Sequence, residues 1–320
     1  MPEHRARLTI AVPTFRRPEE LRSLVPQLVA QAHELDAAGE TTSEVVVVDN
    51  DPEGSARETV EAMAGDRTVP IRYAHEPRPG IASARNRALD EAGRSRLLAF
   101  IDDDELPHPG WLRELVTVWR DTGAALVAGR VVAEFEVPPS PWIVAGRFFV
   151  RRSLPTGTAL DVAAAGNLLL DAEQVRESGV RFAIGLGLSG GEDTLFSRQL
   201  GRAGYRMVWC DESVITDLVP RSRISRRWVL RRAWSHGNSA AVVAIRLAGD
   251  GAAGIAARAT AVVAGLARIA GGVLETAFGL LTRSMMHQAR GSRAAYRGAG
   301  MIWAAFGGVV QEYARTEPAT

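Results

Sequence analysis

The sequence predicts an α/β fold, with a mixed, mainly parallel sheet flanked by helices and a helical C-terminal region. Apolar strands alternate with helical patterns through residues 7–120, an order typical of a parallel sheet with helices on both faces. The apolar run at residues 97–101 is typical of a strand buried on both faces, and four carboxylates follow it directly. From Ser222 onward the apolar spacing is helical throughout.

The individual elements follow from the spacing of apolar residues. The predicted strands span residues 7–13, 44–49, 71–74, 97–102, 124–132, 164–170 and 206–210. The predicted helices of this half span residues 18–35, 55–63, 80–91, 111–120 and 192–200. Pro18 suits the first turn of the first helix, because proline lacks the N–H that would be unpaired there. Residues 137–142 are predicted as a proline-rich loop and residues 185–191 as a flexible glycine-rich run.

Composition indicates the class of protein and its cellular compartment. The chain has 320 residues, 46% hydrophobic and 23% charged, which is an ordinary globular balance. Its single cysteine, Cys210, cannot form an internal disulfide, so a reducing cytoplasm is the expected setting. The first residues show no apolar signal core, so export is not indicated.

Charge is distributed unevenly along the chain. All 38 basic residues are arginine. Residues 220–320 hold fourteen arginines and four acidic residues, a balance of +10, whereas residues 1–219 have a balance of −9. This step predicts a catalytic or ligand-binding domain at residues 1–219 and a second region at residues 220–320. The basic region either faces anionic lipid or phosphate or is simply solvated.

The C-terminal helices are apolar but interrupted by charges. Between residues 240 and 281 the interruptions are Arg246, Asp250, Arg258, Arg268 and Glu275. No window reaches the roughly 18–20 uncharged apolar residues of a spanning helix. The helices are therefore expected to pack on the sheet domain, to form a homodimer, or to lie in a membrane interface. The net charge of +1 gives no reason to expect a nucleic-acid partner.

The acidic run after the fourth predicted strand indicates a cation site. Ligands of open α/β sheets bind beyond the carboxyl ends of strands, where these acids fall. Adjacent carboxylates repel one another, and burying one unpaired costs several kcal/mol. A hard cation such as Mg²⁺ or Mn²⁺ would remove both costs. The alternative is a solvated acidic turn.

Two further segments carry candidate binding residues. Asp49 ends the second strand and could accept hydrogen bonds from a base or ribose, although Asn-Asp-Pro is also an ordinary turn. Gly80 opens a helix on which Ile81, Arg85 and Leu89 share one face. An arginine on that apolar face must meet an anion. We favour a ligand over the alternative of a structural salt bridge.

A glycine-rich loop brings Glu192 and Asp193 to the first turn of a helix. The functional interpretation makes Asp193 a general base for an incoming hydroxyl, and the alternative is ordinary stabilisation of the helix dipole. A basic and aromatic cluster follows, formed by Arg221, Arg223, Arg226, Arg227, Trp228 and His236. It either neutralises a diphosphate or an anionic surface, or is a solvated helix face. Trp142 is expected to be a buried anchor rather than a sugar-stacking residue.

The order of PTFRRPEEL, VVVDN, GIASARN, IDDDE and GGED resembles the family 2 glycosyltransferases over roughly residues 7–240. That resemblance implies a Rossmann-like GT-A fold and a nucleotide-diphosphate sugar as donor. The segments PTFRRPE, VVVDNDP, RPGIASARNRAL and AFIDDDE look like the bacterial exopolysaccharide branch, including succinoglycan-type glucosyltransferases.

The resemblance also implies residue roles. Asp102 and Asp104 would ligate Mn²⁺ or Mg²⁺, and Asp193 would be the catalytic base. The implied donor-binding residues are Pro13, Asp49, Arg85, Asp102 and Asp103. A second tier of candidates comprises Thr14, Glu192, Arg227, Trp228 and His236.

These roles predict an inverting, metal-dependent enzyme that adds one sugar per event. Processive synthases of the family carry Gln-x-x-Arg-Trp, and here Ile224 occupies the place of the glutamine. The expected acceptor is a glycan of polysaccharide or glycolipid assembly, either free or lipid-linked, and the expected place is the cytoplasm or the inner face of the cell membrane. The alternatives are a non-catalytic membrane-peripheral scaffold and glycosylation of a secondary metabolite. An aspartyl phosphatase would need Thr or Val where Leu106 stands, and a sugar nucleotidyltransferase would need a glycine-rich loop after the first strand.

Overall fold

The computed structural model describes residues 5–65 and 68–311, and within them eight strands and ten α-helices. The strands are β1 Ala6–Thr14, β2 Thr41–Asp49, β3 Ile71–His75, β4 Leu97–Ile101, β5 Glu105–Pro107, β6 Leu126–Phe135, β7 Asn167–Asp171 and β8 Met207–Val219. The helices are α1 Pro18–Ala37, α2 Arg57–Met63, α3 Ile81–Glu91, α4 Trp111–Thr122, α5 Pro141–Ala145, α6 Ala172–Ser178, α7 Glu192–Arg202, α8 Arg226–Ala248, α9 Ala252–Leu281 and α10 Met285–Ala305.

The strands form one mixed sheet in the order β3-β2-β1-β4-β7-β6-β8-β5. The pairs β2–β3, β1–β2 and β1–β4 are parallel, whereas β4–β7, β6–β7 and β5–β8 are antiparallel. Thr14 is paired with Asp49 and Asp49 with His75, so the carboxyl ends of three neighbouring strands meet at one edge. The α/β class with a mixed sheet and a helical C-terminal region is confirmed.

The parallel strands are buried on both faces, as their continuous apolar runs predict. Side chains alternate across the sheet, so that Ile10 and Val12 join the core cluster on one face while Ala11 joins the cluster on the other. All five residues of β4 are buried, with Ala99 on the first face and Phe100 on the second. The chain that follows β4 is therefore held at a rigid sheet edge.

Several elements differ from the sequence prediction. The segment predicted as a proline-rich loop contains the short helix α5, because Pro141 suits the first turn and Trp142 and Ile143 pack into an apolar cluster. The helix α6 and the strand β5 were not predicted. Strand β7 runs antiparallel to β4, and β8 extends nine residues beyond its predicted end at Cys210. Such pairings depend on distant partners that local spacing does not identify.

The chain divides into two compact units. Unit 1 comprises Met1–Val132, Arg151–Gly187 and Glu192–Asp217. Unit 2 comprises Ala133–Val150, Leu188–Gly191 and Leu218–Thr320. The predicted division between residues 219 and 220 lies two residues after the last segment of unit 1, but the sequence did not assign the two earlier segments to unit 2.

In unit 2, glycines allow α9 and α10 to pack closely. Gly265, Gly272 and Gly279 repeat every seven residues along α9. A Cβ on Gly272 would lie 2.5 Å from the carbonyl oxygen of Gly291, and one on Gly265 would lie 2.8 Å from that of Gly298. Backbone-to-backbone contact of this kind requires residues without a side chain.

By length and composition α9 is apolar enough to cross a membrane, and 17% of its most apolar window is buried. The sequence prediction concerned uncharged windows, and α9 has none of that length, whereas the apolar window found here contains up to two charged residues. Its three charged residues, Arg258, Arg268 and Glu275, are spaced widely enough for an apolar window to fit. Length and composition do not by themselves separate a spanning helix from an interfacial one.

Candidate active site

The candidate site is built around Asp102, the first residue after β4. Its backbone N–H donates to Glu105 Oε2 at 3.1 Å, which fixes the turn that follows the strand. Its carboxylate Oδ1 accepts a hydrogen bond from Arg85 Nη2 at 3.3 Å. The acidic run therefore starts at the carboxyl end of a buried parallel strand, where open α/β sheets bind ligands.

Arg85 forms a buried ion pair with Glu192. Arg85 Nη1 and Glu192 Oε1 are 2.5 Å apart, although the residues are 107 positions apart in sequence. Arg85 is 5% exposed and Glu192 4% exposed. The salt-bridge alternative for Arg85 is thus present in the structure, and a donor-binding role for it stays a prediction. Glu192 Oε2 is buried without a hydrogen-bond partner among the described residues.

Asp193 stands next to this pair on the first turn of α7 and is half-buried. Its Oδ1 accepts from the backbone N–H of Thr194 at 2.6 Å. Burial raises the pKa of Asp102 against the opposing charge of Arg85, and the carboxylates of Asp104 and Asp193 raise it further. Burial likewise raises the pKa of Glu192, with Asp193 adding to the effect. The structure thus brings Arg85, Asp102, Glu192 and Asp193 together.

The segment after β1 holds the rest of the acidic run. Asp103 Oδ2 accepts from the Thr14 hydroxyl at 2.7 Å, and Arg17 Nη1 lies 2.9 Å from Asp103 Oδ1 and 2.8 Å from Asp104 Oδ2. Burial raises the pKa of Asp103 to about 7, against the lowering effects of Arg17 and Thr14. Pro13 is buried in β1 just before this segment. Sequence reasoning did not single out Arg17, although it belongs to PTFRR, part of one of the segments that carry the family resemblance.

Asp49 is fully buried at the end of β2 and holds the chain that leads into α2. Its Oδ1 accepts from the backbone N–H of Asp51 at 2.9 Å. Its Oδ2 accepts from the backbone N–H of Ala56 at 2.8 Å and from the Tyr73 hydroxyl at 3.2 Å. These bonds match the turn alternative, and contact of Asp49 with a nucleotide base stays a prediction.

Asn50 and Gly80 shape the loop that enters α3, and sequence reasoning did not single out Asn50. Its side chain donates to the carbonyls of Glu76 and Arg78, both at 2.7 Å, and accepts from the backbone N–H of Gly80 at 3.0 Å. Gly80 has φ +113°, and a Cβ there would lie 3.1 Å from the carbonyl carbon of Gly187. Only glycine fits this position without strain. The N-terminus of α3 is therefore held at the same sheet edge, where the Ile81 N–H donates to the Gly187 carbonyl at 3.1 Å.

Sequence reasoning also assigned no role to Glu105, the buried last acid of the run after β4. Burial and the neighbouring charge of Asp102 raise its pKa well above the ordinary range. A Cβ on Gly166 would lie 2.7 Å from its Oε1, so this glycine leaves room for the carboxyl group. Its signal was its place as the fourth acid of IDDDE.

The remaining candidates lie on α8 in unit 2. Trp228 stacks on Phe149 with ring centroids 5.9 Å apart and joins an apolar cluster, while the side chains of Arg227 and His236 are exposed. Trp142 is buried in the same cluster, as expected of an anchor. The donor-side roles predicted for the α8 residues stay predictions.

The acids of unit 1 fit a cation that the donor helps to hold. No three His, Cys, Asp or Glu side chains form a metal-binding group within residues 5–65 and 68–311. The charge of Asp104 does raise the pKa of Asp102, so these two carboxylates lie near each other at the sheet edge. Mg²⁺ is commonly bound through one or two carboxylates plus substrate phosphates and water, and these two carboxylates match that pattern.

Residues 9–172 match the family described as Glycosyl transferase family 2. The succinoglycan biosynthesis protein ExoM of Rhizobium meliloti (strain 1021) is 34% identical over 242 residues, which make up 75% of this chain and 75% of that protein. The pre-mycofactocin glycosyltransferase of Mycobacterium tuberculosis (strain ATCC 25618 / H37Rv) is 28% identical over 258 residues, 77% of this chain and 49% of that protein. The mannosyltransferase PcManGT from Pyrobaculum calidifontis, solved with GDP-Man and Mn²⁺, has a TM-score of 0.57 at 21% identity, over 95% of this chain and 88% of that chain.

The likeness to PcManGT confirms the GT-A type of fold. The similarity to ExoM confirms the resemblance to the exopolysaccharide branch and, with the family match, identifies an enzyme that transfers sugars. The chain belongs to glycosyl transferase family 2.

Proposed function

We propose that the protein moves one sugar per event, with inversion, from a nucleotide-diphosphate sugar to an acceptor hydroxyl, and that it needs Mn²⁺ or Mg²⁺. The observation that carries this proposal is the convergence of Asp102, Glu192 and Asp193 around Arg85 at the carboxyl end of β4. Sites that develop and neutralise charge place titratable groups with perturbed pKa values together in this way.

In the proposed reaction Asp193 acts as general base. The acceptor oxygen forms a bond to the anomeric carbon while the bond from that carbon to the diphosphate oxygen breaks. The bonding electron pair leaves with the nucleoside diphosphate, and the hydroxyl proton passes to the Asp193 carboxylate. Attack from the face opposite the leaving group inverts the anomeric centre, and no covalent enzyme intermediate is needed. Asp193 suits this role because its half-buried side chain lies on a helix end beside the acidic site.

The other residues bind and position the donor. Asp102 and Asp104 would hold the divalent cation, which would supply positive charge to offset the negative charge of the departing diphosphate. Arg85 pairs with the carboxylates of Asp102 and Glu192 and offsets part of the cost of placing their charges there. Asp49 keeps the loop before α2 in place, and Thr14 and Arg17 orient Asp103.

The proposed acceptor belongs to polysaccharide or glycolipid assembly, in the cytoplasm or at the inner face of the cell membrane. The similarity to a succinoglycan biosynthesis protein supports this acceptor class, and the apolar α9 supports a lipid-linked form. The similarity to a pre-mycofactocin glycosyltransferase favours the second candidate, an acceptor that is not a polysaccharide. A homodimer remains part of the proposal, and nucleic acid does not.

The test begins with a thermal-shift screen of UDP-, GDP- and dTDP-sugars with Mn²⁺. The donor found is then assayed for release of its nucleoside diphosphate, with and without acceptor hydroxyl compounds. Asp193→Asn is expected to bind this donor normally but to lose turnover by roughly 10²–10⁴-fold, the usual range for a lost general base. Asp90→Asn is the matched control, since Asp90 is exposed on α3.

Turnover at the wild-type rate in Asp193→Asn would show that Asp193 is not the general base. Absence of turnover with every donor, in a protein that still binds one, would favour the non-catalytic scaffold instead.

A further inference from the structure

Unit 2 contains an open cavity of about 490 Å³ that the proposed reaction does not use. It lies among the loop after α5, the middle of α9 and one face of α10. Its charged lining consists of Arg147, Arg268, Arg290, Arg293 and Arg297. Among the residues that the structure describes, none with an acidic side chain lines it. Five arginines thus border one space.

These arginines have no carboxylate partner in the part of the chain that the structure describes. Within residues 5–65 and 68–311, none of the five forms an ion pair with a carboxylate. Arg293 is held by the carbonyls of Gly146 and Arg147, at 3.4 and 3.3 Å. Burial and the charges of Arg293 and Arg268 lower the pKa of the half-buried Arg297. Gathering like charges without a partner costs free energy that a bound anion would offset.

Arg147 is placed in the cavity by an unfavourable backbone conformation. It follows the end of α5 with φ +53°, in the left-handed region where glycine is usual. A residue with a side chain costs about 1–2 kcal/mol there. The same turn supplies the two carbonyls that hold Arg293, so it positions two of the five arginines.

Guanidinium groups in this number match a phosphate or pyrophosphate. Each presents a planar fork of N–H donors that pairs with two oxygens of a phosphoryl group. A volume of about 490 Å³ lies within the range of roughly 300–1,000 Å³ for small-molecule sites. It is far larger than the share of about 30 Å³ that one water occupies, so a headgroup-sized anion fits better than a single halide ion.

The apolar surface of the same unit indicates where this anion comes from. Seven side chains of α9 are between 56% and 85% exposed and fall within an arc of about 120° on the helix. They are Ile255, Val263, Leu266, Val273, Leu274, Leu280 and Leu281. Trp303 and Phe306 at the end of α10 are also exposed, at 52% and 79%. Arg268 lies on the opposite side of α9 from this apolar face, and helices with one apolar and one arginine-bearing face are typical of the interface of an anionic membrane.

We infer that the arginine cavity of unit 2 binds the phosphate or pyrophosphate headgroup of a membrane lipid while the exposed face of α9 contacts the bilayer. This inference deepens the membrane association within the proposed function, but it does not depend on the transfer reaction. The charge of the cavity selects the headgroup, and the apolar face distinguishes a lipid from a free phosphate.

The experiment uses the full chain and two double variants. Arg268→Gln/Arg290→Gln removes two exposed cavity arginines that form no ion pair among the described residues, and Arg231→Gln/Arg283→Gln removes two exposed arginines elsewhere in unit 2. Calorimetry in EDTA measures the binding of inorganic pyrophosphate to each protein. Sedimentation measures binding to phosphatidylcholine vesicles with and without phosphatidylglycerol or a polyprenyl pyrophosphate, in the presence and absence of free pyrophosphate.

The wild type is expected to bind pyrophosphate and the anionic vesicles, and free pyrophosphate is expected to weaken the vesicle binding. The cavity variant is expected to bind pyrophosphate at least tenfold more weakly, whereas the control variant stays within about twofold of the wild type. Both variants should keep Mn²⁺-dependent binding of the nucleotide sugar, so a failure here leaves the proposed transfer reaction standing.

Three results would overturn the inference. One is equal pyrophosphate affinity in the cavity and control variants. Another is pyrophosphate binding without any binding to anionic vesicles, which would identify a free phosphate as the ligand. The third is a stable dimer that buries α9 and does not bind vesicles, which would assign the apolar face to a second copy.

Discussion

Arg85→Met tests the buried ion pair at the centre of the candidate site. The variant keeps the apolar stem but leaves the carboxylates of Glu192 and Asp102 without their cation. Removing one partner of a buried pair costs about 3–5 kcal/mol of unfolding free energy. Arg87→Met is the matched control on the same helix, because Arg87 pairs with Glu91 at the surface, with 38% of its side chain exposed. Exposed pairs contribute about 0–1 kcal/mol.

Urea unfolding followed by tryptophan fluorescence measures both variants. The loss in Arg85→Met should be nearly independent of pH below about 6 and should grow as the pH rises above about 7. Burial raises the pKa of Glu192 to about 7 in the wild type, and without Arg85 it rises further, so above about pH 7 the folded variant holds a proton that the folded wild type has released. Adding Glu192→Met should recover part of the loss, since no unpaired carboxylate remains there. Losses below about 1 kcal/mol in both single variants would refute this account of the pair.

Three other predictions concern packing and burial. Gly80→Ala should lower stability by about 1–3 kcal/mol more than Gly157→Ala, because both have positive φ but only the first would press a Cβ against backbone, 3.1 Å away. Gly272→Ala should lower the thermal midpoint through its 2.5 Å backbone clash, while its neighbour variant Gly271→Ala, with open space, should raise it; equal effects would argue against the packing of α9 on α10. The buried thiol of Cys210, whose pKa is raised to about 11, should resist a thiol reagent at pH 8 until urea unfolds the protein, and rapid labelling of the native protein would contradict that burial.

The sequence predicted the parts of the fold that depend on local spacing. Continuous apolar runs identified the parallel strands, and the helices α1, α2, α3 and α4 begin within two residues of their predicted starts. The helix α5 was not predicted, because the prolines of residues 137–142 are typical of a loop. One of them, Pro141, begins the helix, which is stabilised by the burial of Trp142. The antiparallel direction of β7 depends on pairing with β4, which no local pattern encodes.

The candidate site likewise contains residues whose setting follows from local spacing and residues whose partners are distant in sequence. The spacing of Ile81, Arg85 and Leu89 predicted that Arg85 faces inward toward an anion, and the structure shows it buried against carboxylates. Its partner Glu192 is 107 positions away, so the identity of that anion could not be read from spacing. Asp49 shows the opposite case, since two of its observed bonds close the chain segment before α2 and only the third comes from a distant residue, Tyr73 of β3.

The central claim is that the aspartates after β4 hold a cation that binds the donor diphosphate. Calorimetric titration of the screened nucleotide sugar with Mn²⁺ and with EDTA tests it most directly, in the wild type, in Asp104→Ala and in the control Asp161→Ala, whose residue is exposed elsewhere in unit 1. Mn²⁺ should strengthen binding at least about tenfold in the wild type and the control, a difference of about 1.4 kcal/mol, and should have no effect in Asp104→Ala. Donor affinity that is the same with Mn²⁺ and with EDTA, or an undiminished Mn²⁺ effect in Asp104→Ala, would contradict the account.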